Sequence, residues 1–265
     1  MPVAEMLRLL WGTVVYRPYV WAFFACFLAF AVLQLGLRRT IAFALPTWAI
    51  AFAAEYSSTR NGFPFGHYTY FDATRTRELW ISNVPFWDSL SFVFLSYFSF
   101  ALAAAVRSRG ALGEAPWPGL RAPSTPLLGG LQMMLLDVVI DPVTLQGDRW
   151  FLGRIYAYPG DGFWFGVTAA NFAGWFVVGA ASQWVFQRCL DRLPGCRGPW
   201  RAVPRGFAWA VFAAYAGVLA FMLAVTVAIG DVRLAFASAA VSAAILVPVA
   251  RALRPAHPRA AEAVA

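Results

Sequence analysis

The sequence contains little charge and few of the residues that bind metals. Only 13% of its 265 residues are charged, lysine is absent, and there are two histidines and three cysteines. Two histidines cannot form the clusters of a di-iron membrane enzyme or the paired axial ligands of several haems. The cysteines, Cys26, Cys189 and Cys196, lack metal-ligand spacing and predict no disulfide framework. We therefore expect no metal site and no cofactor.

The shortage of polar residues also excludes a soluble globule. Hydrophobic residues make up 60% of the chain and its mean hydropathy is +0.61, which leaves too little polar surface for a soluble protein of this size. We predict an all-α, polytopic membrane helix bundle that forms a single integral membrane domain over residues 1–265, with a flexible tail at 255–265. About seven windows approach the roughly 20 apolar residues that cross a bilayer. They are 19–37, 41–55, 84–106, 127–145, 163–186, 207–229 and 232–250.

The arginines indicate how the bundle is oriented. All 21 basic residues are Arg, of which thirteen follow odd-numbered spans and eight lie on the opposite side. By the positive-inside rule this bias places the C-terminus in the cytoplasm, in a multi-pass protein of the cell membrane. The arginines are spread over several loops without interleaved exposed aromatic residues, so we expect contacts with membrane lipid and none with nucleic acid.

The remaining polar residues of the spans gather at one membrane face. They close even-numbered spans or open odd-numbered ones, and alternate spans run in opposite directions. The long loops on this face, 56–82 and 146–162, are rich in Tyr, Phe, Trp and Gly. This face is therefore the predicted functional face. Its polar residues are Glu55, Asn83, Asp88, Asp137, Asp141 and Asn171.

Two of these residues form a pair within the stretch LLDVVIDPVTL, residues 135–145. Asp137 and Asp141 are one helical turn apart and project from the same side. A carboxylate at bilayer depth costs about 2.5–3.5 kcal/mol on an insertion scale, so both should face the bundle interior. Neighbouring buried carboxyls can hold one proton between them, which provides a general acid with a base beside it. We favour Asp137 as the donor because it lies about 6 Å deeper along the helix, with Asp141 or Glu55 positioning the water.

A structural interpretation of the same pair remains open. Asp137 would cap neighbouring backbone or pair with an arginine such as Arg149, and Asp141 would begin an Asp-Pro turn at Pro142.

Four ordered motifs resemble a family of membrane enzymes. They are Glu55, the segment GFPFGHYTY at 62–70, DVVIDP at 137–142 and FGVTAANFAGW at 165–175. They resemble the carotenoid biosynthesis family that includes the CruF-type carotenoid hydratases and bisanhydrobacterioruberin hydratase. The chain departs from the expected pattern at Thr168, where Pro is expected, and at Tyr156 and Tyr158, where Trp is common.

The resemblance implies addition of water across the terminal double bond of an acyclic carotenoid, giving a tertiary alcohol. Protonation of such a bond creates a tertiary cation, which water captures after a base takes its proton. Carboxylates stabilise the cation, and aromatic faces add about 0.5–2 kcal/mol each. We expect catalysis by Asp137, Asp141 and Glu55 without a cofactor, and contacts with other carotenoid-pathway enzymes. The predicted substrate-binding residues are Tyr68, Tyr70, Asp88, Asn171 and Trp175.

Two other classes of function remain open. A membrane prenyltransferase, or a terpenoid or carotenoid cyclase, would also surround a polyprenyl chain with acids and aromatic rings. Residues 137–141 lack the richer aspartate motifs that hold magnesium and diphosphate, however. A proton-coupled transporter would also carry acids within its spans, but the sequence shows neither an inverted repeat nor a pair of broken helices.

The glycine-rich segment 62–66 is not a phosphate-binding loop. It lacks the lysine and the strand-loop-helix context of such a loop, and we predict a tight re-entrant turn instead. His67, beside it, is interpreted as a loop residue, with a proton relay as the alternative.

Overall fold

A computed structural model describes residues 3–109, 111–113, 115–200, 202–204 and 206–254. These residues form eight α-helices: α1 (Val3–Tyr16), α2 (Pro18–Leu35), α3 (Leu37–Asn61), α4 (Phe86–Arg107), α5 (Thr125–Thr144), α6 (Ala169–Arg192), α7 (Phe207–Ile229) and α8 (Val232–Leu253). Of these, α2, α4, α5, α7 and α8 are long and apolar enough to cross a membrane. The helices α3 and α6 have 25 and 24 residues and carry charged residues towards their ends. The predicted all-α polytopic membrane bundle is confirmed, and the predicted tail lies outside the described residues.

Each of the seven predicted spans corresponds to a helix, although some boundaries differ. The second span extends beyond the predicted 41–55 to the full length of α3. The fifth begins at Ala169 rather than at residue 163, because the Thr168 side chain caps the helix by accepting a hydrogen bond from the Asn171 backbone N–H. Immediately before this cap, Trp164 and Val167 form an isolated bridge. Capping geometry therefore overrides the apolar character of residues 163–168.

The first helix is absent from the sequence-based prediction. With 14 residues, α1 is shorter than the roughly 20 residues that cross a bilayer. Leu7, Trp11 and Val15 are exposed along one side of it. On the other side, the buried Thr13 hydroxyl accepts a hydrogen bond of 2.8 Å from the Leu79 backbone N–H. A search for long apolar runs does not detect so short an amphipathic helix, which packs on the loop of the functional face.

The central helix of the bundle is α4, in which every residue from 92 to 105 is buried. Two of its polar side chains bond to neighbouring helices. The Ser96 hydroxyl lies 3.2 Å from that of Ser182 in α6, and the Tyr97 hydroxyl donates to Gln34 of α2 at 2.9 Å. Since hydrocarbon offers no water to polar groups, such pairs fix how α2 and α6 sit around α4.

The helices α5 and α6 make the most extensive contact in the bundle, and glycines permit it. A Cβ on Gly130 of α5 would lie 2.8 Å from both Phe176 O and Ala180 N of α6. On α6, a Cβ on Gly179 would lie 2.9 Å from the Met133 sulfur. Small residues let two membrane helices approach closely. This approach brings the carboxylates of α5 opposite the first turn of α6.

Short strands join the two aromatic loops of the functional face. Strand β1 (Thr69–Tyr70) pairs antiparallel with β4 (Tyr156–Ala157), and the Phe71 backbone N–H donates to Ile155 O at 2.7 Å. A second antiparallel pair, β2 (Trp80–Ile81) with β3 (Val84–Pro85), leads into α4. The loops predicted to share a face are therefore bonded to each other through their backbones.

The glycine contact makes a test of the packing possible. We expect Gly130→Ala to destabilise the protein by roughly 1–3 kcal/mol, because the added methyl group meets the α6 backbone and must push the helices apart. Gly217→Ala in α7 is a matched control, since its Cβ would meet only the edge of the Phe23 ring at 3.9 Å. Thermal unfolding in detergent should show a lower melting temperature for the first variant and an unchanged or higher one for the second.

Equal effects of the two substitutions would show that close packing at Gly130 does not support the fold.

Candidate active site

A cavity of about 140 Å³ lies where the two aromatic loops meet the helices. Residues from α2 to α7 and from both loops line it. Its polar lining comes from the loop-side ends of the helices, and apolar lining extends farther along α4 and α7. The polar lining includes Arg17, Glu55, Asp88, Asp141 and Asn171, and the apolar lining includes Val20, Phe23, Leu95, Phe221 and Met222. A molecule with a reactive end and an apolar chain matches this polarity.

One amide bridges the carboxylate pair of α5. The Asn171 Nδ2 donates to Asp137 Oδ2 at 2.6 Å and to Asp141 Oδ2 at 2.8 Å. Asn171 is held in the first turn of α6 by the Thr168 hydroxyl, which accepts its backbone N–H at 3.3 Å. The two aspartates therefore project from one side of α5, as their spacing predicts. Thr168, a departure from the family pattern, supplies the cap that positions this amide.

Two tyrosines complete the hydrogen bonding of Asp141. The Tyr156 hydroxyl donates to Asp141 Oδ1 at 2.7 Å, and the Tyr158 hydroxyl donates to Oδ2 at 2.9 Å. The Thr144 hydroxyl lies 2.7 Å from that of Tyr156. With Asn171, Asp141 thus receives three donors. Sequence reasoning treated the tyrosines only as departures from a pattern, although their spacing of two is the signal that would place both on one side of an extended segment.

The structure does not show the contacts of the structural interpretation of this pair. Arg149 lies 3.7 Å from Asp231 and donates to the Ile229 carbonyl, away from Asp137. The helix continues past Pro142 to Thr144, so Asp141 does not begin a turn. Asp137 is fully buried, does not line the cavity, and its Oδ1 has no hydrogen-bond partner among the described residues.

Glu55 reaches the cavity from the opposite side. It lies in α3, is 4% exposed, and its Oε1 accepts one long hydrogen bond of 3.3 Å from the Tyr70 hydroxyl. Within the described part of the chain, its buried Oε2 atom has no partner. Two carboxyl groups, Glu55 and Asp141, therefore line one cavity with very different hydrogen bonding.

A buried arginine adds positive charge to the cavity wall. Arg17, between α1 and α2, approaches Glu78 to 2.7 Å and Asp88 to 2.5 Å. Arg17 is 3% exposed and Glu78 is fully buried, so the arginine needs these partners. The network ties the α1–α2 junction to the first loop and to α4.

Sequence reasoning missed both Arg17 and Glu78. It counted Arg17 only towards the orientation of the bundle, although an arginine directly before the Pro that opens the first span was an available signal. For Glu78 no signal was available, because it is one polar residue in a polar loop.

Aromatic rings surround the polar groups. The Tyr68 ring lies 5.3 Å from that of Tyr70 and 5.9 Å from that of Tyr156. Trp175 stacks on Phe92 with 4.3 Å between ring centroids. All five predicted binding residues, Tyr68, Tyr70, Asp88, Asn171 and Trp175, line the cavity. These rings present faces that would stabilise a cation in the cavity.

The glycine-rich segment forms a tight turn, as predicted. Gly62 and Gly66 both have positive φ, and the Gly66 N–H donates to Gly62 O at 2.8 Å. The turn inserts Phe65 against α6, where a side chain on Gly174 would collide with it. His67 is exposed and does not line the cavity, so it is placed as a loop residue.

Comparison with known sequences gives the family. The family described as carotenoid biosynthesis protein matches residues 16–247. This range runs from the end of α1 into α8 and includes every residue that lines the cavity. The chain belongs to this family. No curated protein and no solved structure matches it. The protein therefore has a role in carotenoid biosynthesis, as a membrane enzyme of that pathway.

The tyrosine hydroxyls of this carotenoid biosynthesis protein are held as neutral donors. Burial raises the pKa of Tyr156 and of Tyr158, and the neighbouring Asp141 raises each further. Burial likewise raises the pKa of Tyr70, with Glu55 as the next cause. A raised tyrosine pKa keeps the proton on the oxygen at higher pH. The hydrogen bonds to the carboxyl groups therefore persist throughout the neutral range.

Tyrosinate absorbance tests this directly. The difference between the wild type and Tyr156→Phe isolates the titration of one hydroxyl. In the folded protein this difference should stay flat through about pH 10, the ordinary tyrosine value, because burial opposes ionisation. After denaturation the same difference should titrate near that value. A folded-state transition at about pH 10 would contradict the burial of this hydroxyl.

Proposed function

We propose that this protein adds water across the terminal carbon–carbon double bond of an acyclic carotenoid, giving a tertiary alcohol. The observation that carries the proposal is the contrast between the two carboxyl groups of the cavity. Asp141 receives three hydrogen-bond donors, and Glu55 receives one long one. An ionised carboxylate only accepts hydrogen bonds, whereas a protonated carboxyl also donates. This contrast suits a base and an acid in one site.

The contrast favours Glu55 as the proton donor and Asp141 as the base. Sequence reasoning favoured Asp137 as the donor because of its depth. Asp137 does not line the cavity, however, so substrate would not touch it. We assign Asp137 a positioning role, since it shares the Asn171 amide with Asp141.

The reaction balances without an oxidant or a reductant. The Glu55 proton passes to the less substituted carbon of the double bond, whose π electrons form the new C–H bond. The neighbouring carbon becomes a tertiary cation. A water oxygen bonds to this carbon, and its proton passes to the Asp141 carboxylate. One water is consumed, and the proton returns from Asp141 to Glu55 before the next turnover.

The cavity wall suits the cation of this reaction. Asp88 provides negative charge that Arg17 holds in place. Tyr68 and Trp175 provide aromatic faces, each worth about 0.5–2 kcal/mol towards a cation. The fixed groups act in a site largely withdrawn from bulk water, where preorganised charges are most effective.

Substitution of the carboxyl groups tests the proposal. In a host that makes lycopene, the wild type should yield pigments heavier by one water. Glu55→Gln and Asp141→Asn should each lower turnover by ~10²–10⁴, because each loses a group that transfers a proton. Asp137→Asn should cause a smaller loss, since an Asn oxygen still accepts from Asn171. Asp72→Asn, at a residue whose side chain is 77% exposed, is the matched control.

Full turnover by well-folded Glu55→Gln and Asp141→Asn would overturn this assignment. A hydration assay on purified protein after exhaustive chelation separates the rival classes of function. Activity that returns only with added metal favours the diphosphate-dependent prenyltransferase or cyclase. Accumulation of unchanged solute in vesicles favours the transporter.

We also propose that the cavity faces away from the cytoplasm and that the C-terminus lies inside, because of the thirteen-to-eight arginine distribution. The test replaces the three native cysteines and introduces Asp161→Cys or Arg197→Cys, both at exposed positions. An impermeant thiol reagent applied to intact cells should label position 161, and position 197 only after permeabilisation. The reverse pattern would invert the orientation.

A further inference from the structure

The cavity is too small for a whole carotenoid. Its volume is about 140 Å³, and an engineered cavity of roughly 150 Å³ holds a benzene molecule. It therefore accommodates one end of an isoprenoid chain, and the rest of a long chain must leave through a wall.

The wall between α2 and α7 consists of aromatic rings, and Phe151 of the second loop packs on two of them, Tyr19 and Phe221. Phe23 of α2 and Phe221 of α7 line the cavity, are partly exposed, and meet with their ring centroids 6.1 Å apart. Tyr19 stacks on Phe221 at 5.0 Å. The sequence neighbours Ala22 and Ala220 are exposed on the outer surface of the helices. Both helices are membrane spans, so the wall separates the cavity from the bilayer hydrocarbon.

The other large aromatic walls are closed. Trp87 and Trp150 are 2% and 1% exposed, and Phe92 and Trp175 are 4% and 7% exposed. Towards the water, the Arg17 ion pairs and the loop strands cover the polar end. Of the Phe and Trp residues that line the cavity, only Phe23 and Phe221 are partly exposed.

We infer that the substrate chain leaves the cavity between Phe23 and Phe221 and lies in the bilayer along α2 and α7. Only the end group is then enclosed. This inference rests on the proposed hydration. Because only the end group is enclosed, the protein should select for the end group and tolerate chains that differ in length or at the far end. The substrate class is any long, acyclic isoprenoid hydrocarbon that carries the reactive end.

Gly217 offers a test that leaves the cavity untouched. It lies one turn before Phe221 in α7 and does not line the cavity. A Cβ there would lie 3.9 Å from the Phe23 ring and meet no backbone atom of a neighbouring helix within 4 Å, so a larger side chain extends from a position beside the proposed path. Ala243→Leu adds a side chain of the same kind to an exposed position of α8, a helix that does not line the cavity, and serves as the control.

The experiment compares two substrates with each variant. One is a full-length acyclic polyene, and the other is a short isoprenoid with the same end group. Gly217→Leu should lower kcat/KM for the polyene by roughly tenfold or more, mainly through KM, because the added side chain obstructs the chain. Its turnover of the short substrate should match the wild type, which also shows that the variant folds. Ala243→Leu should leave the turnover of both substrates unchanged.

Equal losses with both substrates, or no loss with the polyene, would overturn the inference. If the wild type hydrates neither substrate, the proposed hydration fails. The path of the chain is then tested by measuring how much polyene stays bound to each purified protein. Retention that falls in Gly217→Leu and not in Ala243→Leu supports the path. Equal retention in all three proteins overturns it.

Discussion

The need to satisfy buried carboxylates is the constraint on which this structure depends. Asp137 and Asp141 lie on a membrane helix, where an unpaired charge is expensive. One α6 amide, from Asn171, binds both, and two loop hydroxyls, from Tyr156 and Tyr158, bind the second. Meeting this single requirement fixes the register of α5 against α6 and the position of the second loop.

The second loop in turn holds the first. Backbone pairing of β4 with β1 places Tyr70 over the cavity, where its hydroxyl reaches Glu55 of α3. Arg17 then ties the first loop to α4 through Glu78 and Asp88. Six helices thereby contribute to one cavity although no single pair of them encloses it. The charged contacts gather near the membrane face, and the deeper wall remains apolar.

This division of polarity suits chemistry on one end of a hydrocarbon. Acid–base groups must be held in a dry site to act on a double bond, and a long apolar chain is most stable in the bilayer. A cavity with a polar end near the membrane face and an apolar wall between two membrane spans meets both requirements. Membership in the carotenoid biosynthesis family accords with such a substrate.

The sequence by itself determined the class of the fold and the face that carries the site. Apolar runs need no tertiary partner to be recognised as spans, and polar residues at alternate span ends identify a face. Asp88, Asp141, Glu55 and Asn171 consequently meet around one cavity, and Asp137 lies beside it. Helix α1 was not predicted, because its amphipathic pattern is short and its stability comes from packing on the first loop.

Only the tertiary structure decided which carboxyl groups face the cavity and what binds them. The predicted depth in the membrane favoured Asp137 as the proton donor. In the structure, however, Asp141 lines the cavity and Asp137 does not. The partners Arg17, Glu78, Tyr156 and Tyr158 come from a helix junction and from loops, where the spacing of the two tyrosines is the one periodic signal. Their positions follow from loop pairing and from the pairing of buried charge, which are contacts between residues distant in sequence and therefore invisible to local pattern.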